Sequence, residues 1–187
     1  MSEKRYVALL RGINVGGNNL IKMSDLRSSF ARMGFSDVQT YIQSGNVVFS
    51  SKQKNKAKLT ALIEKVLSDA FTYESRVVVI SGSELERVVA QAPKGFGTDP
   101  AQYRYDVLFV REPFTTTEAL KDINATPGVD TTHTGDHAVY FRRLISKSAQ
   151  SNLNKLVVRP AYKNITVRNW NTTMKLLAMI RSASNAV

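Results

Sequence analysis

Two polar, glycine-rich segments near the start of the chain have the composition of an anion-binding site. The first reads GINVGGNN over Gly12–Asn19, and the second reads QSGN over Gln43–Asn46. Glycine-rich backbone that leads into a helix exposes N–H groups, and Arg11 at the base of the first segment could add a bidentate contact. The same glycines also suit tight turns with positive φ, so a purely structural role is the alternative.

A third segment of similar composition, RNWN, lies near the other end of the chain. Arg, Asn, Gln, Ser and Gly donate hydrogen bonds and bind anions, but none of them is a good general base or metal ligand. We therefore predict ligand-binding residues and assign no catalytic ones: Arg11, Asn14, Gly16, Gly17, Gln43, Ser44, Asn46, Arg168, Asn169 and Asn171. Capping of the last helix by Asn169 or Asn171 and packing by Trp170 are the structural alternatives.

The first segment lacks the residues that nucleotide-hydrolysing loops need. Gly12 and Gly17 have the spacing of a P-loop, but Asn18 and Asn19 stand where that loop requires Lys and Ser or Thr. Without them there is no point charge for the β- and γ-phosphates and no hydroxyl ligand for Mg²⁺. The sequence also lacks the GxGxxG fingerprint of dinucleotide-binding folds and the GxSxG elbow of hydrolases.

Metal and cofactor chemistry is poorly supported by the sequence. The chain has no Cys, which excludes disulfides, thiolate metal sites and cysteine nucleophiles. Its two histidines, His133 and His137, fall in a region that we interpret as strand–turn–strand, where an i, i+4 spacing does not form a metal-binding face. We predict no metal site and no cofactor.

The charge distribution favours an anionic partner. Lys and Arg number 26 against 15 Asp and Glu, for a net charge of +11, and Asp136 is the last acidic residue. Nucleic acid, a nucleotide or an acidic surface would suit this balance, although a solvated basic surface without a partner is the plain alternative. No apolar run approaches the ~20 residues that span a bilayer. We expect a cytoplasmic protein without a membrane partner, and we make no prediction of its oligomeric state.

Hydrophobic periodicity predicts the element order βαββαβ twice. In the first half, Ser24 is the predicted cap of the first helix and Gly34 its C-terminal stop. The predicted strands are 6–11, 38–43, 47–51 and 76–80, and the predicted helices follow Ser24 and cover 59–70 and 83–90. In the second half the predicted strands are 105–110, 129–132, 138–143 and 165–168, with helices over 115–123, 151–157 and 172–180.

This order predicts an α+β fold of two ferredoxin-like subdomains, with antiparallel sheets that carry helices on one face. We place the first subdomain at 1–92, a Pro- and Gly-containing linker at 93–103, and the second subdomain with an appended C-terminal helix at 104–187. The first and third strands of such a sheet are antiparallel neighbours. The loop Gly12–Asn19 and the hairpin Gln43–Asn46 should therefore meet at one edge.

Three stretches of the sequence are similar to those of a known family. The stretches YVALLRGINVGGNNLIKMSDLR, TYIQSGNVVF and TVRNWNTTMKL resemble signatures of the bacterial family DUF1697, a domain of unknown function. The resemblance implies a two-subdomain α+β fold with ferredoxin-like halves. It brings no established activity.

We interpret the chain as a basic anion-binding module, with a phosphate-bearing ligand that is a nucleic acid or a nucleotide. One alternative is an enzyme that acts on a small anionic metabolite and stabilises charge with hydrogen-bond donors. The other is a scaffold or oligomer that binds no ligand. The third strand, GNVVF, matches the RNA recognition motif only in part, because the leading base and one stacking ring are missing.

Overall fold

A computed structural model describes residues 3–14, 17 and 19–182 of the chain. The strands are β1 Lys4–Arg11, β2 Ser36–Tyr41, β3 Asn46–Ser51, β4 Arg76–Ser81, β5 Tyr103–Val110, β6 Asp130–Thr134, β7 Ala138–Leu144 and β8 Ile165–Asn169. The α-helices are α1 Met23–Arg32, α2 Lys56–Phe71, α3 Gly82–Ala90, α4 Thr116–Leu120 and α5 Trp170–Ser182. Three 3₁₀ segments, Ile145–Gln150, Asn152–Val158 and Pro160–Asn164, lie between β7 and β8.

The fold is α+β with two four-stranded antiparallel sheets, as the element order predicts. The strand orders are β2-β3-β1-β4 and β6-β7-β5-β8, which are the orders of two ferredoxin-like halves. The chain divides into two compact units, unit 1 with Met1–Leu85 and Leu176–Val187 and unit 2 with Glu86–Lys175. None of the described helices is long and apolar enough to cross a membrane.

The core of unit 1 lies between one face of its sheet and helices α1 and α2. Because successive side chains of a strand point to opposite faces, Tyr6, Ala8 and Leu10 all enter this core. They pack with Phe30 of α1 and Ile63 of α2, both of which are fully buried. Helical periodicity places the apolar residues of α1 and α2 on one stripe each, so these helices cover the sheet.

The start of α1 differs from the sequence prediction, whereas its end agrees. The helix begins at Met23 with Lys22 in the N-cap position, and the Ser24 hydroxyl contacts Asp25 instead of capping the helix. The prediction for Ser24 was therefore wrong. Gly34 follows the helix with a φ of +83°, the left-handed conformation that commonly ends a helix.

The end of α5 is joined to β1 within unit 1. The Arg5 guanidinium donates hydrogen bonds to the carbonyls of Met179 and Ile180 at 3.1 and 2.9 Å. These carbonyls lie in the last turns of α5, where a cation interacts favourably with the helix dipole. Ile180 also lies within 3.0 Å of the position that a Cβ on Gly82 would occupy, so the backbone there approaches α5 closely.

Unit 2 has the same sheet topology with fewer regular helices. Leu108, Val139 and Phe141 pack beneath α4 and the 3₁₀ segments, together with Ala119 and Leu156. The predicted helix over 151–157 is replaced by 3₁₀ turns, because SNLNKLVV lacks a clear apolar stripe and is followed by Pro160. The predicted helix over 115–123 is shortened to α4, which Thr115 and Glu118 begin with a capping box.

Glu84 stabilises the start of α3 in unit 1, and its removal should weaken the fold. It accepts hydrogen bonds from the Lys56 ammonium at 2.6 Å and from the amide and hydroxyl of Ser81 at 2.8 Å each. Burial raises the pKa of Glu84, but these hydrogen bonds together outweigh burial, so the pKa lies below its ordinary value. The stabilisation is therefore present above the pKa of the unfolded carboxyl and is lost as pH falls through the lower folded pKa.

We expect Glu84→Gln to lower the free energy of unfolding by about 2 kcal/mol at neutral pH, because charged hydrogen bonds become neutral ones. The loss should shrink as pH falls below the ordinary pKa of Glu, about 4.3, because the carboxyl of the unfolded chain then takes up its proton before that of the folded chain. Urea unfolding followed by circular dichroism at several pH values measures both effects. A loss of the same size at every pH would contradict the ionised role of Glu84.

Candidate anion-binding site

The first polar loop, Gly12–Asn19, has left-handed backbone at four of its described positions. Gly12 and Gly17 have φ values of +72° and +79°, and Asn14 and Asn19 have values of +53° and +48°. A Cβ at either glycine would have no other atom within 4 Å. These positions therefore favour glycine because of their backbone conformation and not because of a close contact. Gly16, also predicted to bind ligand, lies outside the described residues.

Asn14 connects the first loop to the hairpin. Its side-chain amide donates to the carbonyls of Ile21 and Gln43 at 3.0 and 2.9 Å, and its oxygen accepts from the Ile21 amide at 2.8 Å. The predicted meeting of the loop and the hairpin is thus confirmed for the described residues. Both ends of the Asn14 side chain are therefore engaged in hydrogen bonds within unit 1.

The hairpin packs its own polar side chains inward. Asn46 is fully buried, and its amide donates to the Tyr41 carbonyl and to the Ser44 hydroxyl, both at 3.0 Å. The Gly45 carbonyl accepts from the Leu10 amide at 2.8 Å, which joins the turn to the end of β1. Gln43 is exposed in this turn, and Arg11 is half-buried at the end of β1 opposite Arg76.

Replacing Asn14 should destabilise unit 1. We expect Asn14→Gly, which keeps the left-handed backbone accessible, to cost about 2 kcal/mol through the lost side-chain hydrogen bonds. Asn14→Asp should cost more, because a carboxylate oxygen would face the carbonyls of Ile21 and Gln43 in place of an amide. Urea unfolding of both variants tests this order. Equal stability of the wild type and Asn14→Asp would contradict it.

The RNWN segment, residues 168–171, belongs to unit 2. Its first two residues end β8, and its last two begin α5. Arg168 is 8% exposed, and its guanidinium donates to the carbonyl of Val167 at 2.9 Å. Burial lowers the pKa of Arg168 to about 10. Asn169 accepts from the Asn171 amide at 2.9 Å, as the N-cap alternative for α5 predicts, and donates to the Tyr105 carbonyl at 3.2 Å.

Two recesses of unit 2 lie beside the chain that precedes β5. One of them, recess B, is also lined by residues of the RNWN segment. Recess A has a volume of about 310 Å³ and is lined by residues 93–96, by residues 131–133 of β6, and by Tyr140 and Arg142 of β7. Recess B has a volume of about 280 Å³ and is lined by Gly97, Pro100, residues 103–105, Ile145 and residues 169–171. The described residues that line either recess include no carboxylate, and they carry Lys94, Arg104 and Arg142.

The guanidinium of Arg142 is fixed at recess A. Its Nε donates to the Thr131 hydroxyl at 2.9 Å, and its central carbon lies 4.5 Å from the centre of the Tyr103 ring. A cation over an aromatic face is stabilised by the ring quadrupole. Among the described residues, no hydrogen-bond partner contacts its two terminal nitrogens, so they remain available as the fork that binds phosphate or carboxylate.

Aromatic side chains form the wall between the two recesses. The Phe96 ring lies 5.0 Å from Tyr105, 5.5 Å from Tyr140 and 5.2 Å from Trp170, with edge-to-face geometry at each pair. A Cβ on Gly97 would lie 2.4 Å from the Trp170 ring, so only glycine lets the chain pass this tryptophan. The Tyr140 hydroxyl donates to the Val88 carbonyl at 2.6 Å, and burial followed by the charge of Asp136 raises its pKa to about 12.

The neighbouring base Arg143 has a different environment from Arg142. Its guanidinium lies 3.3 Å from the carboxylate of Asp106, a residue that is 7% exposed. Burial raises the pKa of Asp106, against the opposing effect of Arg143 and Arg104. Adjacent residues of one strand point to opposite faces, so Arg143 pairs with a carboxylate whereas Arg142 lies over Tyr103.

Of the residues that line recess A, the sequence pointed only to His133, and there only as a metal ligand that the spacing argues against. Arg142 is one of nine basic residues that follow the last acidic residue, and nothing in the composition distinguishes it from the others. The alternation in AVYFRRL indicates that Tyr140 and Arg142 share a strand face, and this is the signal that could have found the recess. The contributions of Lys94, Phe96 and Thr131 depend on the fold and have no sequence signature of their own.

Comparison with known proteins gives the chain a family. Residues 3–140 match the family described as "Protein of unknown function (DUF1697)". The chain belongs to this family. The DUF1697 match ends inside β7, so the RNWN segment lies beyond the matched residues.

The fold also has a counterpart among solved structures. The chain is similar to the conserved bacterial protein SP0830 from Streptococcus pneumoniae, with 26% identity and a TM-score of 0.84. The alignment covers 96% of this chain and 100% of that one. No curated protein matches the sequence. The comparisons therefore give the DUF1697 chain a family and a fold, and they supply no activity.

Proposed function

We propose that this DUF1697 chain is an anion-binding module whose ligand carries phosphate, either a nucleotide or nucleic acid. The observation that carries the proposal is the Arg142 guanidinium, oriented by Thr131 and Tyr103 in a recess whose described lining residues include no carboxylate. Because the side chain of Arg142 is already restrained, it loses little conformational entropy when its planar guanidinium binds phosphate through two hydrogen bonds. A cytoplasmic location belongs to the same proposal.

The lining of recess A supports a ligand with a ring as well as a phosphate. Phe96, which is half-buried, supplies apolar ring surface, whereas Lys94 and the β6 hydroxyls supply charge and hydrogen bonds. The volume of about 310 Å³ is at the low end of the range for small-ligand sites, about 300–1,000 Å³. A single nucleotide suits this combination better than a larger cofactor does.

The sequence-predicted residues have a supporting place in this proposal. Asn169 and Asn171 line recess B, next to the aromatic wall that borders recess A. Arg11, Gln43 and the described part of the first loop belong to unit 1. We propose the unit 1 segments as a separate anion contact, since Gly12, Gly17 and Gln43 are exposed there.

Binding of a fluorescent ATP analogue, followed by anisotropy at 50 and 200 mM salt, tests the proposal. We expect binding at the lower salt that weakens at the higher one, because exposed charges are screened. Unlabelled ATP and inorganic pyrophosphate should displace the analogue, whereas adenosine, which lacks phosphate, should displace it poorly. Absence of binding at 50 mM salt, or equal competition by adenosine, would overturn the proposal.

An enzyme acting on a small anion is the second candidate, and one residue favours it. His133 lines recess A and is exposed, and imidazole is the side chain that most often acts as a general base in enzymes. Incubation of the protein with ATP, followed by assay of released phosphate, separates the two candidates. Turnover that is lost in His133→Gln, with binding retained, would favour the enzyme.

A further inference from the structure

Recesses A and B adjoin through residues that contact one another. Arg142 of recess A lies over Tyr103 of recess B, and Phe96 of recess A packs against Tyr105 and Trp170 of recess B. All of these residues belong to unit 2. The two recesses therefore share one aromatic wall, and a ligand longer than a single nucleotide would pass across it.

Recess B repeats the chemistry of recess A with a different set of side chains. It has one cation, Arg104, which is exposed, and the half-buried rings of Tyr103 and Trp170. Asn171 is exposed at its edge and offers an amide that can both donate and accept hydrogen bonds. A cation, a ring and an amide are the groups that bind the phosphate, the face and the edge of a nucleobase.

We propose that recesses A and B are successive subsites for a single-stranded oligonucleotide. The inference rests on the proposed function and adds the class of ligand. Single strands expose base faces for stacking on protein rings, whereas a duplex hides these faces in its own stack. The cations of the two recesses, Lys94 and Arg142 in A and Arg104 in B, would follow the phosphates of the strand.

The test compares oligoadenylates of one, two, four and eight nucleotides, labelled at one end, by fluorescence anisotropy at 50 mM salt. We expect affinity to rise at least about fivefold from one nucleotide to two, because a second base stacks on the protein. Trp170, the single tryptophan of the chain, provides a label-free signal from recess B. Its emission should change with the dinucleotide and longer strands.

Two variants locate the subsites. Arg104→Ala should weaken binding of the tetranucleotide about fivefold or more and that of the mononucleotide much less, whereas Arg142→Ala should weaken both to a similar extent. Lys121→Ala is the matched control, because it removes an exposed charge at the C-terminal end of α4, which packs on the other face of the sheet. Far-UV circular dichroism verifies that each variant is folded.

The outcomes separate this inference from the proposed function. Equal affinity for one and four nucleotides, an unchanged Trp170 signal, or tighter binding of a duplex would overturn the oligonucleotide inference and leave anion binding intact. Binding of neither nucleotides nor oligonucleotides would overturn both. RNA and DNA strands of one sequence are compared in parallel, and binding of either strand with the expected length dependence supports the inference.

Discussion

Arg142→Ala should reduce the affinity for a nucleotide about 30-fold, the equivalent of ~2 kcal/mol. The variant removes the guanidinium that the Thr131 hydroxyl and the Tyr103 ring hold at recess A. Loss of a charged, bidentate donor leaves a phosphate without its main partner, and no other arginine lines this recess among the described residues. Isothermal titration with ATP at low salt measures the effect.

Arg142→Lys distinguishes geometry from charge at the same position. Lysine keeps the positive charge but lacks the planar fork and stacks less well on Tyr103, so we expect an affinity between those of the wild type and Arg142→Ala. Lys121→Ala, which removes a charge elsewhere in unit 2, should bind ATP as the wild type does. If Arg142→Ala and Lys121→Ala lose the same small amount, only net charge matters and recess A is not the site.

Gly45→Ala should destabilise unit 1 by about 3 kcal/mol or more. Gly45 has a φ of +74°, and a Cβ there would lie 2.7 Å from the Leu10 Cβ and 2.8 Å from the Ile13 Cδ1. The left-handed backbone costs a non-glycine residue about 1–2 kcal/mol, and overpacking of buried neighbours costs about 1–3 kcal/mol more. The Leu10 Cβ is attached directly to the backbone of β1, so it cannot move without moving the strand.

Gly34→Ala provides the matched control for this prediction. Gly34 has a similar φ of +83°, but a Cβ there would meet nothing within 4 Å. Its substitution should cost only the backbone contribution, about 1–2 kcal/mol. Urea unfolding of both variants, followed by circular dichroism, isolates the steric contribution at Gly45. Equal losses for the two variants would contradict the close approach of hairpin and strand.

The sheet topology could be predicted because its signals are local and repeated. Short apolar or β-branched runs indicated all eight strands, and the order βαββαβ allows few arrangements. The meeting of Asn14 and Gln43 followed from that topology alone. Element ends were less predictable. Helix α1 begins without the expected Ser24 cap, because Lys22 occupies the cap position with no side-chain hydrogen bond.

The candidate site was harder to predict from the sequence than the fold, because one residue type can serve either a ligand or the fold. Polar residues such as Asn14 and Asn46 mark both ligand contacts and structural hydrogen bonds, and only coordinates reveal that their amides are engaged internally. Arg142 and Arg143 are adjacent in sequence, yet one lies over a tyrosine ring and the other beside a buried carboxylate. Composition cannot separate two arginines whose difference depends on the strand face.

A crystal structure of the protein grown with saturating ATP tests the central claim most directly. We predict phosphate density in recess A, with its oxygens about 3 Å from the terminal nitrogens of Arg142. The ring of the ligand should contact the ring of Phe96. ATP bound elsewhere on the chain, with recess A and Arg142 unchanged, would contradict the account.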